Sequence, residues 1–137
     1  MKILICGSMT CSKKMIETEK GLLELKHKVV LPSHTKEYAE LDSFEKMHSE
    51  SAKNKIKEDL IRDYYNKIKD SDAILVVNEK RNEIDNYIGG NSFLEMGFAH
   101  VLNKKIFLLN EIPKVSYKDE IEVMRPVVLN GDLGRVE

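Results

Sequence analysis

The sequence predicts an α/β fold: a single doubly wound, Rossmann-like (flavodoxin-like) domain with a five-stranded parallel sheet in the order 2-1-3-4-5. Three observations carry that expectation. Short β-like runs alternate with longer amphipathic segments along the whole chain. The runs are continuously apolar rather than alternating, as strands covered on both faces are. The chain has 137 residues, enough for one hydrophobic core and too few for two, so residues 1–137 are expected to form one domain.

Residues 2–6 read as a buried strand, and the small residues of 7–12 as the loop that leaves it. Over 15–26, Met15, Ile16, Leu22, Leu23 and Leu25 recur on a charged background, which fits a helix, with Gly21 working against it. Residues 29–31 make a second strand that Pro32 stops. Residues 33–50 are polar and long enough to be a lid or a partner-contact excursion. Ile56, Leu60, Ile61, Tyr64 and Ile68 then recur at helical spacing, so Tyr64 and Tyr65 read as core and boundary residues. The charged residues interleaved with that stripe, from Lys53 and Glu58 to Lys69 and Asp70, read as a solvated helix face. A β-branched run over 73–77, bounded by Ser71-Asp72 and Asn78, makes the third strand. After a glycine-containing loop, 93–102 read as a buried helix, 106–109 as strand four, 117–124 as a short helix and 127–129 as strand five.

Composition narrows the function. Lys and Arg number 22 against 23 Asp and Glu, a net charge of −1, without the basic excess of a nucleic-acid binder. No apolar run approaches the roughly 20 residues of a membrane span. Residues 1–7 read as strand rather than secretory signal. Two cysteines, Cys6 and Cys11, do not make a disulfide framework; Cys6 reads as packing, and Cys11 has no expected histidine partner. His27, His34, His48 and His100 have no metal-ligand spacing and read mostly as surface residues. The expectation is a reduced, cytoplasmic, non-membrane protein without metal or cofactor.

In a doubly wound sheet, ligands bind outside the carboxyl ends of the strands where the winding reverses, between the loops after strands one and three. Those loops, 7–12 and 78–92, are also rich in glycine and small polar residues. In the first, Ser8, Thr10 and Ser12 are each positioned to cap the following helix, whose free N–H groups suit phosphate or sugar hydroxyls. Neither a P-loop nor a dinucleotide-binding glycine pattern is present. In the second, Gly89 and Gly90 permit close backbone approach, and Asn91 or Ser92 is the expected N-cap. Glu95 follows among Phe93, Leu94, Met96, Gly97, Phe98 and Ala99. Two readings of it stand together. Ser92-Phe93-Leu94-Glu95 matches a capping box; alternatively the carboxylate projects into the crevice as a nucleophile or base.

At these residues the chain resembles the nucleoside 2-deoxyribosyltransferase superfamily, which includes the 2'-deoxynucleoside 5'-phosphate N-hydrolases. The start ILICGSM is similar to the family's strand one and substrate loop, in the C-G-S form of the hydrolases. GGNSFLEMGFA resembles its nucleophile helix, SDAILVVN its third strand and NKKIFLLN its fourth. The resemblance implies attack by Glu95 on the anomeric carbon of a 2-deoxyribosyl group, with departure of the base and resolution of the glycosyl ester by water or a second base. It implies substrate contacts from Gly7, Ser8, Met9, Asn78, Gly89, Gly90, Asn91 and Ser92. Asn130 and Asp132 would come from a neighbouring subunit, so a homodimer or larger homo-oligomer is implied. Two aspartates common in the transferases are replaced by Asn78 and Gly89, leaving Glu83, Asp85 and Asp132 as alternative proton donors. No arginine follows Ser8; Lys13 and Lys14 are the nearest cations in sequence. An alternative from another class is a non-catalytic nucleotide- or nucleotide-sugar-binding module on the same scaffold.

Overall fold

The computed structural model describes residues 1–33, 35–40 and 59–137. Its strands are β1 (Lys2–Cys6), β2 (Lys28–Val30), β3 (Ala73–Val76), β4 (Lys105–Leu108) and β5 (Val127–Val128). They form one sheet in the order β2-β1-β3-β4-β5, and every pairing is parallel. This is the α/β architecture expected from the alternating apolar runs. The described helices are α1 (Ser12–Glu24), α2 (Thr35–Ala39), α3 (Leu60–Lys69), α4 (Gly90–Val101) and α5 (Lys118–Val123), with 3-10 turns at Met9–Cys11 and Leu133–Arg135. Of the expected excursion over 33–50, only Ser33 and 35–40 are described. His34, His48, Lys53, Ile56 and Glu58 lie outside the described residues.

Side chains leave a strand alternately to its two faces, and each face has its own core. Ile3, Ile5, Leu75, Val77 and Phe107 pack with Met15 and Leu22 of α1. On the other face Leu4, Cys6, Ile74, Val76 and Leu108 pack with Ile68 of α3, Met96 and Ala99 of α4 and Ile121 of α5. Gly21, unfavourable for an isolated helix, has its reason in the first layer. A Cβ there would lie 2.5 Å from Leu133 Cδ1, so its absence lets the C-terminal turn lie on α1.

Gly7 ends β1 for two reasons. Its φ of +156° disfavours a side chain, and a Cβ would lie 3.0 Å from the Val77 carbonyl oxygen and 2.7 Å from Met15 Cε. The chain can therefore turn out of β1 directly against the end of β3.

Within the loop after β3, Arg81 and Ile84 make a two-way backbone pair, 3.1 and 2.9 Å. Between them Asn82 (φ 52°) and Glu83 (φ 61°) are both left-handed, the geometry of a type I′ hairpin turn. Asparagine accepts this conformation readily; glutamate does so at a cost of about 1–2 kcal/mol. Glu83→Gly should therefore stabilise the fold by about 0.5–1 kcal/mol, after the added flexibility of the unfolded chain is subtracted. Thermal unfolding should show a midpoint raised by roughly 2–4 °C; an unchanged or lower midpoint would count against strain at this turn.

Candidate functional site

The site is built where α4 begins, and here the structure corrects the sequence reading. The N-cap is Gly89, in extended conformation, rather than Asn91 or Ser92, and the Phe93 N–H already donates to the Gly89 carbonyl at 2.9 Å. Ser92 lies inside the first turn and is buried, so Ser92 and Glu95 form no capping box. Glu95 falls in the second turn, on the face turned toward the sheet, and is only 6% exposed. A carboxylate so placed has lost the local reason for being there. Burying a charge is costly unless specific partners hold it.

Cys6 lies near it, the last residue of β1 and fully buried. Burial pushes the thiol pKa well above its ordinary value, and the nearby carboxylate pushes it further the same way. The thiol is thus held in its protonated form. From α3, Tyr64 reaches the same place. Its hydroxyl is likewise raised far above its ordinary range, by burial first and by Glu95 second, with smaller contributions from Cys6, Asp63 and Tyr38. Glu95, Tyr64 and Asn91 share a pocket whose remaining wall is Leu60, Ile61, Leu94 and Phe98. Its free volume, about 10 Å³, is the room of a single water. Tyr65 fixes the α3–α4 contact by an edge-to-face packing on Phe98, centroids 5.3 Å apart.

The strand-one loop adjoins this carboxylate because Cys6 leads directly into Gly7. Ser8 caps the following turn, accepting from the Thr10 N–H at 3.3 Å and lying 2.9 Å from the Thr10 hydroxyl. Ser12 opens α1, its hydroxyl donating to the Met9 carbonyl, while Met9 packs partly buried against the core. Arg81 crosses from the loop after β3 to donate from Nη1 to Ser8 Oγ at 2.9 Å. Its guanidinium lies 5.9 Å from the centre of the Tyr87 ring. The loop therefore carries a cation, supplied 73 residues away in sequence rather than by Lys13 or Lys14.

Asn78 is wholly buried, and its amide spans the ends of two strands. Nδ2 donates to the carbonyls of Asn86 (3.2 Å), Asn110 (3.2 Å) and Glu111 (2.9 Å). Oδ1 accepts from the Asn110 N–H, and the Asn110 side chain donates back to the Asn78 carbonyl, both at 2.9 Å. This side chain clamps the loops after β3 and β4 together. Glu79, the next residue, lies near Cys11, whose thiol is raised chiefly by burial. The rest of the loop is anchored by the Tyr117 hydroxyl, which donates to the Ile88 carbonyl beneath a Phe93–Tyr117 ring contact of 4.7 Å.

The other sequence candidates are not all gathered here. Gly89 and Gly90 flank the start of α4, and Asn91 lines the Glu95 pocket. Asn130 and Asp132 follow β5, three strand spacings from β1, or about 14 Å. Asn130 faces a broad groove along the β5 edge, and Asp132 Oδ1 accepts from the Gly134 N–H at 3.0 Å. Glu83 and Asp85 are exposed. Three residues set aside or overlooked in the sequence join the site: Cys6, Tyr64 and Arg81. The first carried a signal in its strand parity, which it shares with Leu4 and the α4 face; Arg81 carried none. Among the described residues no three His, Cys, Asp or Glu side chains group to hold a metal, and no helix is long and apolar enough to cross a membrane. No family model and no curated protein matches this chain.

Proposed function

We propose that this protein cleaves the N-glycosidic bond of a 2'-deoxynucleoside or its 5'-monophosphate, with Glu95 as the nucleophile. The observation that carries the reading is a buried carboxylate in the second turn of α4, with no capping role, held beside the strand-one loop at the winding reversal of the sheet. The resemblance of GGNSFLEMGFA and ILICGSM to the deoxyribosyltransferase superfamily supports it. In the first step a Glu95 oxygen bonds to the anomeric carbon as the bond to the base nitrogen breaks, and the base leaves with that electron pair and takes up a proton. In the second, water attacks the same carbon and the ester bond to Glu95 breaks. The water's proton is released, which balances the uptake in the first step. An acceptor base in place of water would give exchange instead.

Ser8, Thr10 and Arg81 suit the 5'-phosphate: two hydroxyls and a guanidinium converge at the turn that opens α1. Arg81→Met should then raise KM for a deoxynucleoside 5'-monophosphate roughly 10- to 100-fold, the worth of one hydrogen bond to a charged group. Turnover of the unphosphorylated nucleoside should stay within about twofold. Equal losses on both substrates would make Arg81 a brace for the loop instead. A homodimer or larger assembly fits the same reading, because Asn130 and Asp132 would reach a Glu95 pocket from a neighbouring chain.

The test is chromatographic detection of free base. The protein is incubated with the four deoxynucleosides and their monophosphates, with and without an acceptor base, beside Glu95→Gln. Base release lost in the variant supports the nucleophile. Tight nucleotide binding without release from any substrate would favour a non-catalytic binding module on the same scaffold.

A further inference from the structure

We propose that the outer face of α4 is where two copies of this chain associate, about a two-fold axis running along that helix. The face supplies a surface for the assembly that the nucleophile reading calls for, and it is recognised without any appeal to the chemistry of Glu95. Three observations point to it.

The first is an outer face without charge. Residues 93–102 read in sequence as a buried helix, but only one side of α4 is buried. Met96 and Ala99 have no exposure, while Leu94 and Val101 are 40% and 77% exposed. The helix contains no lysine or arginine, and its one carboxylate, Glu95, is buried. A helix lying on a surface ordinarily turns charged and polar residues to water. Here Gly90, Leu94, Gly97 and Val101 recur at four-, three- and four-residue spacing and form a single stripe instead.

The second is the pair of glycines in that stripe. Glycine inside a helix is unfavourable, and Gly21 of α1 shows what offsets it, since Leu133 fills the space a Cβ would take. At Gly90 and Gly97 a Cβ would meet nothing within 4 Å among the described residues. The two gaps lie on either side of Leu94 along the stripe. The Leu94 side chain of a parallel α4 can seat between them as a knob in a hole.

The third is charge, which selects a second copy as the occupant. On one side of α4, Tyr65 of α3 packs on Phe98, and Arg62 and Lys69, three before and four after it, share its face. Both are exposed, and Arg62 also pairs with Asp59. On the other side Tyr117 packs on Phe93, and Glu120, three residues on, shares its side next to exposed Asp119. A two-fold axis along α4 carries the α3 flank of one copy over the α5 flank of the other. The basic flank then meets the acidic one twice, while the uncharged stripes meet on the axis. With α4 about 18 Å long, the face and its flanks cover roughly 400–500 Å² per copy, below the roughly 800 Å² of a standard interface. The expected dimer is therefore of micromolar strength.

Sedimentation velocity across the micromolar range reads the mass with no need of a substrate. The chain should pass from monomer to dimer as concentration rises. Val101→Lys should weaken association more than about tenfold, by bringing a charge to the apolar stripe in both copies, and should leave the thermal midpoint of dilute monomer within about 2 °C. Gly97→Ala should raise that midpoint by roughly 3–5 °C, because alanine favours the helix, and should still weaken the dimer severalfold by holding the two helices apart. Lys69→Glu and Glu120→Lys should each weaken it about two- to tenfold, and the two together should restore it. A chain that stays monomeric, a dimer unmoved by Val101→Lys, or a double substitution no better than either single one overturns the proposal. So does a dilute midpoint lowered by more than about 2 °C in Val101→Lys, which would mean that the chain's own residues cover the stripe. A dimer with the expected pattern in a chain that releases no base would uphold the proposal and count only against the nucleophile reading.

Discussion

Glu95→Gln should abolish base release while leaving the chain at least as stable as its parent. The amide has nearly the shape of the carboxylate but cannot form the glycosyl ester, so kcat should fall on the order of a thousandfold or more. Stability should move the other way. Glu95 is 6% exposed, so its ionised form is held out of water, and a neutral amide of the same shape carries a smaller desolvation cost. Exchange of the charge for a neutral amide should leave the thermal midpoint unchanged or raise it. A structural carboxylate would give the reverse pattern: a lower midpoint, with whatever activity the chain has reduced only in proportion to the folded fraction. Activity and unfolding measured on the same two proteins separate the cases, and full activity in the glutamine variant would dismiss the nucleophile outright.

The sheet was legible because its signal is local. Continuous apolar runs such as Ile3–Cys6 and Ala73–Val76 can only be strands buried on both faces, and their alternation with amphipathic segments leaves few topologies. The start of α4 was misread for an equally local reason. Ser92-x-x-Glu95 is a self-consistent capping pattern, yet the helix starts one turn earlier because Gly89 takes the extended cap conformation and its carbonyl accepts the Phe93 N–H. Arg81 at Ser8 and Asn78 at Asn110 were illegible on different grounds. They join positions 73 and 32 residues apart, and nothing in the flanking residues records the partner. Cys6 stands between these cases: its parity along β1 gave the face, while its nearness to Glu95 depends on the rotation of α4.

Asn78→Asp should destabilise the fold by about 3–5 kcal/mol at neutral pH, the range for a buried charge left without compensation. Aspartate at this place is the transferase pattern, so the substitution asks whether the chain has simply lost a catalytic acid. The geometry answers otherwise. Nδ2 of Asn78 faces three carbonyl oxygens, those of Asn86, Asn110 and Glu111, at 2.9–3.2 Å. A carboxylate oxygen there would meet acceptors only, inside a site with no exposure. Burial and lone-pair repulsion would raise the aspartate's pKa in the folded state above the ordinary value of about 3.9. The folded chain would then hold a proton that the unfolded chain releases. Stability relative to the parent should fall as pH rises from about 4 through the folded-state pKa, and level off above it. Urea unfolding of both proteins at about pH 4 and pH 7 should show the gap widening with pH; a gap independent of pH would mean that the amide is not oriented toward those carbonyls. The same clamp predicts that Asn78→Asp brings no gain in base release, because the new acid would be tied to the loops after β3 and β4 rather than presented to a leaving base. The amide is therefore part of how this chain shapes the ends of β3 and β4, and under the proposed reaction the proton for a departing base would come from another group.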